Sequence, residues 1–312
     1  MRLIPLISVQ SPYLKEILQE ERAEWMRDLK WDYSEPQRII AEMLDHSELT
    51  GHVAVRAGQP AGYSYYLLRC AQGMIGNCFV TSHLAGLGIE RRLLQANFDS
   101  IRRQPGINRI ESQLVDLRHS DPVDFFAGQG FRRYPRSFLR RNCGVEADLP
   151  VPDELCLEPW EDLALIPAAE LTANAYRDSL DREMSSHYSS SETCGEFLCG
   201  IVSRPGCGSI LREASFCLWE RQTHRLVGYV LTSSISPGNG HIPQIAIAPG
   251  QQGKGLGKLL VRHAISVLAA IGHQSVSLSV SKDNQPAMSL YRLLGFQPEF
   301  DFHAYVWERN PH

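Results

Sequence analysis

The sequence predicts an α/β protein of the α+β type in which one fold is repeated in tandem, and three observations lead there. The chain has 312 residues, more than one hydrophobic core usually serves, so about two domains of ~150 residues are expected. Strand-like and helix-like segments follow each other in the same order in both halves, the mark of an internal repeat. Between the halves, the stretch Gly144-Val145-Glu146-Ala147-Asp148-Leu149-Pro150-Val151-Pro152-Asp153 breaks the apolar periodicity with prolines, a glycine and acids, and reads as a linker. The expected domains are residues 1–145 and 154–312.

The second half carries the clearer pattern. Asp162 to Tyr176 and Glu192 to Val202 have helical spacing. Ser215 to Glu220 and Leu226 to Ser234 read as a hairpin pair around Arg221-Gln222-Thr223-His224. Ile242 to Ala248 is a buried strand. Gly255 to Ile271 is an amphipathic helix with an apolar face of Leu256, Leu259, Leu260, Ala264, Val267 and Leu268. After Gly272 comes a second buried strand, Val276 to Val280, then a short helix from Pro286 to Leu294 that stops at Gly295, and a last strand from Phe300 to Trp307. The first half has the same tail: strand Asn77 to Thr81, helix Gly86 to Arg103, strand Asn108 to Leu114, a helix around Val123 to Ala127, then Gly130 and a strand.

Composition narrows the function classes. With 43% hydrophobic, 21% charged and 9% aromatic residues, the chain is that of an ordinary soluble globular protein, which excludes disordered, collagen-like and coiled-coil classes. No stretch approaches ~18 uninterrupted apolar residues, and Pro5 interrupts the apolar start before a signal-peptide core could form, so a cytoplasmic protein without a membrane partner is expected. The 8 cysteines contain no C-x-x-C pair, so reduced thiols are expected rather than a zinc site or a disulfide scaffold, and no metal. The net charge of -4 is uneven, with 19 basic against 16 acidic residues in 1–145 and 12 against 19 in 146–312. The basic run from Phe131 to Arg141 alternates with apolar residues and reads as a strand with one solvated face, and no nucleic-acid partner is expected.

The chemistry is carried by Ile245-Ala246-Ile247-Ala248-Pro249-Gly250-Gln251-Gln252-Gly253-Lys254-Gly255-Leu256-Gly257-Lys258, a buried strand passing through a glycine-rich turn into a helix. Backbone N–H groups at a helix N-terminus lack intrahelical partners, and the helix dipole adds roughly half a positive charge, so such a turn binds anions. A dinucleotide fingerprint starting at Gly253 would need glycine at Lys258, and a Walker loop needs Ser or Thr where Leu259 stands. The pattern that fits is Q/R-x-x-G-x-G/A, met by Gln252, Gly255 and Gly257. It resembles the acyl-CoA pyrophosphate loop of the GNAT superfamily of N-acyltransferases. About 30 residues on, Asn284-Gln285-Pro286-Ala287-Met288-Ser289-Leu290-Tyr291-Arg292-Leu293-Leu294-Gly295-Phe296 resembles the superfamily's N-x-x-A-x-x-L-Y-x-x-x-G-F segment.

The resemblance covers nearly all of residues 154–312 and implies, for each domain, a mixed and largely antiparallel sheet flanked by helices. It implies acetyl-CoA as co-substrate. Amides of Gln252, Gly253, Lys254, Gly255, Leu256, Gly257 and Lys258 would hold the pyrophosphate, the backbone of Ile245, Ala246 and Ile247 would pair with the pantetheine arm, and Asn284 would hydrogen-bond it. Tyr291 would protonate the departing thiolate as general acid. The sequence departs from the family at the base. Many members place a carboxylate just before the loop strand, but His241-Ile242-Pro243-Gln244 holds none. His241 is the first alternative, since an imidazole titrates near neutrality; Asp181, Glu183, His187, Tyr188 and a water chain are others.

The first half resembles the same family with its chemistry altered. Val80 to Leu93 lies over Ile247 to Leu260 without a gap at an offset of 167, which sets Ala85 on Gln252 and Glu90 on Gly257. At ~4 Å, two like charges repel by about 4 kcal/mol at an effective dielectric of 20. An offset of 165 sets Phe126 on Tyr291, without its hydroxyl. A shifted register would set Gly86 and Gly88 on Gly255 and Gly257. The expectation is an N-acetyltransferase acting on a primary amine of a small molecule or peptide. Its first domain is expected to be structural, replacing a partner subunit, so that the chain is a monomeric pseudo-dimer or a homodimer. In length and degenerate first half it is similar to the mycothiol synthases, a tandem branch of the superfamily. A different class of function, an acyl-CoA-binding sensor without turnover, stays open because the strand carboxylate is missing.

Overall fold

All the segments read from apolar spacing form, and the difference from expectation lies in which strand closes which sheet. A computed structural model describes residues 1–69, 71–115, 123–146, 149–204 and 206–309. The chain divides into one unit of Met1–Pro135 with Phe302–His312 and a second of Arg136–Asp301.

In the first unit, strands β1 (Arg2–Pro5), β2 (Thr50–Arg56), β3 (Gln59–Arg69) and β4 (Gln72–Val80) pair antiparallel in that order, with helices α1 (Lys15–Leu29) and α2 (Ser34–Asp45) between β1 and β2. Helix α3 (Ile89–Arg102) leads to β5 (Arg109–Leu114), which pairs parallel with β4, and α4 (Val123–Gly128) follows. Helices α1 and α2 bury Ile17, Leu18, Ile40 and Leu44 with Val53 and Tyr63, while α3 buries Leu94, Phe98 and Ile101 with Ile75 and Ile110. The outer neighbour of β5 is the end of the chain: His303–Glu308 pairs antiparallel with it and lays Tyr305 flat on Phe126, centroids 4.0 Å apart.

In the second unit the first strand is a segment of β6 (Arg132–Asn142), whose residues Arg136–Asn142 pair antiparallel with β12 (Ser275–Ser281). Strand β7 (Leu155–Pro159) pairs with β9 (Phe216–Glu220), which pairs with β10 (Leu226–Ser236), also flanked by the short β8 (Ser209–Ile210); β10 pairs in turn with β11 (Asn239–Ile247). All these pairings are antiparallel, whereas β11 and β12 run parallel. Helices α5 (Leu165–Ala175) and α7 (Ser191–Ser203) cover one face, burying Ala168, Leu171 and Leu198 on Tyr229 and Leu231; α6 (Leu180–Met184) lies between them in sequence. Helix α8 (Leu256–Ala270) covers the other face with Leu259, Leu260, Ala264 and Leu268 on Val227, Val230 and Val276, and α9 (Gln285–Leu293) adds Met288 and Tyr291 to that core. Each Leu, Val or Met among them stabilises the fold by about 1.5–3 kcal/mol on full burial. Ser190 starts α7 with a capping box shared with Thr193, satisfying two otherwise orphaned donors.

Two expectations change. The domain boundary does not fall in Gly144–Asp153: described residues there belong to the second unit, where Glu146 binds Arg141 at 2.6 Å and Arg262 at 3.2 Å and where Leu149 and Val151 pack on the core. Composition marked a break in periodicity, but strand pairing sets the boundaries. The basic strand is solvated at its start, where Arg132 and Arg133 are exposed, and not along its whole length. Arg140 is buried, pairs with Glu299 at 2.6 Å and lies over the Phe138 ring, because this strand is paired along β12 rather than lying at a wet edge. Among the described residues, no helix is long and apolar enough to cross a membrane.

Candidate active site

The site is made by two strands that part. Strands β11 and β12 pair only from Asn239 to Ile242 and from Ser275 to Leu278, although β11 continues to Ile247 and β12 to Ser281. Pro243, which has no N–H to offer a ladder, is the first residue beyond the paired stretch. Between the separated ends lies a cavity of about 710 Å³, walled by the β11 end, the glycine-rich turn, the β12 end, α9 and the segment following α5.

Its floor at one end is the turn. Gly253 and Gly255 take left-handed φ of 76° and 82°, conformations that side chains with a Cβ adopt at a cost of about 1–2 kcal/mol. Gly255 caps α8 without a side-chain bond. The N–H groups of Gly253 through Lys258 have no acceptor among the described residues. These six donors, at the positive end of a 15-residue helix, suit a diphosphate. Gln252, Gly253, Gly255, Leu256, Gly257 and Lys258 line the cavity; Lys254 turns away, donating to Gln251 Oε1 at 2.9 Å. The Gln252 amide folds back to donate to the Ile247 carbonyl at 3.1 Å. A Cβ at Gly257 would stand 3.3 Å from Leu290 Cδ2, so glycine also lets α8 approach α9.

Ile245, Ala246 and Ile247 form the adjoining wall, together with Asn284. One edge group of the strand is already engaged: the Ile245 carbonyl accepts from the Tyr176 hydroxyl at 3.2 Å. Asn284 caps α9, its Oδ1 accepting from the Ala287 N–H at 3.1 Å, which leaves its amide N–H₂ for a ligand.

Tyr291 lines the cavity, and its hydroxyl has no hydrogen-bond partner among the described residues. Burial, and secondarily the Asp181 carboxylate, push this phenol above its ordinary value, so it stays protonated at neutral pH. His241 is not brought to the cavity. It sits opposite Ser277, inside the paired part of β11 and β12, with Nδ1 2.9 Å from Ser277 Oγ and its ring facing Phe138. Burial, with Arg140 as a lesser cause, pushes its imidazole down to about 3. A residue in the paired stretch is walled in by both neighbours, whereas residues beyond Ile242 face the gap. Of the other base alternatives, Asp181 and Tyr188 line the cavity, while Glu183 and His187 do not.

Sequence reading missed Tyr176, Gln244 and Arg136. Tyr176 and Tyr188 stack with centroids 4.3 Å apart, and both reach Gln244: Tyr188 donates to Oε1 at 3.2 Å and Nε2 donates to the Tyr176 oxygen at 3.3 Å. The aromatic pair could have been suspected from two tyrosines flanking the segment between helices. Arg136 carried no signal, since it lies in the first half of the chain.

The first unit repeats the frame of the turn with a different residue at the third glycine position. Gly86 and Gly88 take φ of 77° and 71° at the positions of Gly253 and Gly255, and α3 starts at Ile89 as α8 starts at Leu256. The ungapped register is therefore the structural one, and the shifted register is not. Glu90 stands at the third glycine position. Asn77, aligned with Gln244, donates to the buried Glu21 carboxyl, which also accepts from the Tyr63 hydroxyl at 2.6 Å; burial raises the pKa of Glu21.

Among the described residues no group of three or more His, Cys, Asp or Glu is placed to hold a metal. Burial pushes the Cys194 and Cys217 thiols up, to about 11 and about 12, which leaves them unreactive as nucleophiles.

The sequence model described as the acetyltransferase (GNAT) family matches residues 177–296. A protein named mycothiol acetyltransferase from Pseudarthrobacter chlorophenolicus is 27% identical over 222 residues, 63% of this chain and 64% of that one, so the match spans less than two thirds of the relative's length. Among solved structures, a GCN5-related N-acetyltransferase from Sphaerobacter thermophilus superposes with a TM-score of 0.66 at 17% identity, covering 99% of this chain and 96% of the other. A tandem GNAT protein from the clavulanic acid biosynthesis pathway gives 0.61 at 17% identity, covering 100% and 99%. These two share the fold.

Proposed function

The second half of this chain carries a domain of the acetyltransferase (GNAT) family, and from that premise we propose that the protein transfers an acetyl group from acetyl-CoA to a primary amine of a small molecule or peptide by direct attack. The observation that carries this reading is the row of six partnerless N–H groups from Gly253 to Lys258 beside a parted pair of strands, with the Tyr291 hydroxyl in the same cavity. The amides would hold the pyrophosphate. Ala246, Ile247 and the free amide of Asn284 would hold the pantetheine arm. Bound acetyl-CoA supplies an activated acyl carbon and a thiolate leaving group. The Tyr291 hydroxyl gives its proton to the departing sulfur, and backbone N–H of β11 stabilises the developing oxyanion.

The first unit acts as a scaffold in this reading, with Glu90 and Phe126 at the positions of Gly257 and Tyr291. Similarity to a mycothiol acetyltransferase supports a small-molecule acceptor. The test is thiol release from acetyl-CoA with a panel of primary amines, which should fall steeply in Tyr291→Phe. The competing reading, acyl-CoA binding without turnover, is favoured by Gln244 standing on β11 where a carboxylate would serve. Binding without thiol release from any amine would select it.

A further inference from the structure

We propose that the Asp181 carboxylate, supplied by α6 rather than by the loop strand, receives the protonated primary amine of the acceptor and takes its proton. The inference rests on the acetyltransferase reading and names the group that reading leaves without a residue.

The cavity wall includes three carboxylates, Asp178, Asp181 and Asp283, of which Asp181 alone is buried, at 8% exposure. Its position is set from one side only. Ser281, the last residue of β12, donates to Oδ1 at 2.7 Å, and Oδ2 has no hydrogen-bond partner among the described residues. A carboxylate oxygen that no protein group donates to, on a side chain lining the cavity, is a place for a donor from a ligand, and a charged donor is favoured over a neutral one. An alkylammonium brings three N–H groups.

The neighbours do not compete for that role. Gln244, at the strand position where a carboxylate would serve, is held by Tyr176 and Tyr188, and its carboxamide does not act as a base at neutral pH. The hydroxyls of Tyr176 and Tyr188 are themselves engaged on β11. Among the described residues, the charge of Asp181 acts on the phenols of Tyr176, Tyr188 and Tyr291 and Arg136 on β6 acts on Tyr188, while Asp178, Asp283 and Lys258 line the same cavity. Asp181 and Tyr291 face one cavity, so the proton acceptor and proton donor stand on different elements around it.

The step balances. The acceptor enters as R–NH₃⁺ and loses one proton to Asp181 Oδ2. Its lone pair forms the C–N bond to the thioester carbonyl carbon as the C–S bond breaks. The sulfur takes the Tyr291 proton, the second N–H proton returns to the Tyr291 oxygen through water, and Asp181 releases its proton to solvent. The products are the amide, the thiol and one proton.

The test uses the full chain and Asp181→Asn, an isosteric change that keeps the bond to Ser281. Primary alkylamines from ethylamine to spermidine, with propanol as the neutral counterpart, are titrated calorimetrically in the presence of CoA. Asp181→Asn should weaken ammonium binding at least tenfold, leave propanol unchanged, and keep the thermal stabilisation by acetyl-CoA. Thiol release at pH 7 should fall about 100-fold in kcat/KM and recover as pH approaches the amine's own pKa, near ~10. Ser281→Ala should lose less. Equal ammonium binding and equal thiol release in Asp181→Asn and wild type would overturn the assignment, as would the absence of ammonium binding to either protein. Ammonium binding that depends on Asp181 in a protein that releases no thiol would support the ammonium site and overturn the transfer reading alone.

Discussion

Phe126 and Tyr291 occupy one position in the two repeats. Phe131 N–H donates to the Phe126 carbonyl and Phe296 N–H donates to the Tyr291 carbonyl, each at 3.0 Å, and each bond closes a helix that ends at a left-handed glycine, Gly130 or Gly295. The backbone is the same and the hydroxyl is what differs. Phe126 is fully buried against Tyr305, while Tyr291 presents its oxygen to the cavity.

Removing that oxygen should cost chemistry and not binding. Tyr291→Phe is expected to lower the rate of thiol release by about 10²–10⁴-fold with acetyl-CoA affinity retained, read by steady-state kinetics beside a thermal-shift titration. The reciprocal Phe126→Tyr should bring no second activity and should destabilise by about 1–3 kcal/mol, since its hydroxyl would be buried without a partner. An unchanged rate in Tyr291→Phe would remove Tyr291 as the acid.

The glycine-rich turns give a paired test of which copy binds coenzyme. Gly257→Glu places a carboxylate against the pyrophosphate and a Cβ against Leu290; stabilisation by acetyl-CoA should vanish. Glu90→Gly in the first unit should leave that stabilisation in place. Gly255→Ala, at a φ of 82°, should weaken binding less and lower stability by about 1–2 kcal/mol. Equal loss in the Gly257 and Glu90 variants would defeat the picture of one coenzyme site.

His241 should show itself in stability rather than in rate. Its imidazole stays neutral down to about pH 3 in the folded state, whereas the unfolded chain takes up the proton near ~6.5. The unfolded state therefore binds more protons between those values. The contribution of His241 to stability is full above ~6.5 and falls on acidification by up to ~1.4 kcal/mol per pH unit. Urea titrations from pH 7 to 5 should show this slope in the wild type and a shallower one in His241→Gln. The pH dependence of kcat/KM should keep its shape in that variant; loss of its acid limb would restore His241 as the base.

What could be read from the sequence was local. Gln252, Gly255, Gly257 and Tyr291 lie in two short segments whose spacing is itself the signal, and the turn with left-handed Gly253 and Gly255 needs glycine for a reason visible in one dimension. His241 misled because its distance from Gln244 is three residues, while its environment depends on where β11 stops pairing with β12. Asp181 was one of several acids in the segment between two helices until Ser281, 100 residues away, fixed its orientation. Arg136 and the closing strands depend on pairings across more than 100 residues, and nothing in composition reports such a pairing.

The closing strands make the sharpest prediction about architecture. A fragment of residues 154–312, the domain expected from composition, lacks Arg136–Asn142 and would bare the whole of β12, from Ser275 to Ser281, as an unpaired edge. It would also lose the buried Phe138 and Leu139, worth about 1.5–3 kcal/mol each, and would leave Glu299 and Asp301 without Arg140 and Ser137. Exposed apolar edges recruit other chains, so this fragment should aggregate on expression. A fragment of residues 136–301 keeps β6 against β12 and all the residues lining the cavity. It should be soluble, unfold cooperatively on heating and gain thermal stability from acetyl-CoA. If 154–312 folded as well as 136–301, β6 would be dispensable and the second unit would start where the linker ends.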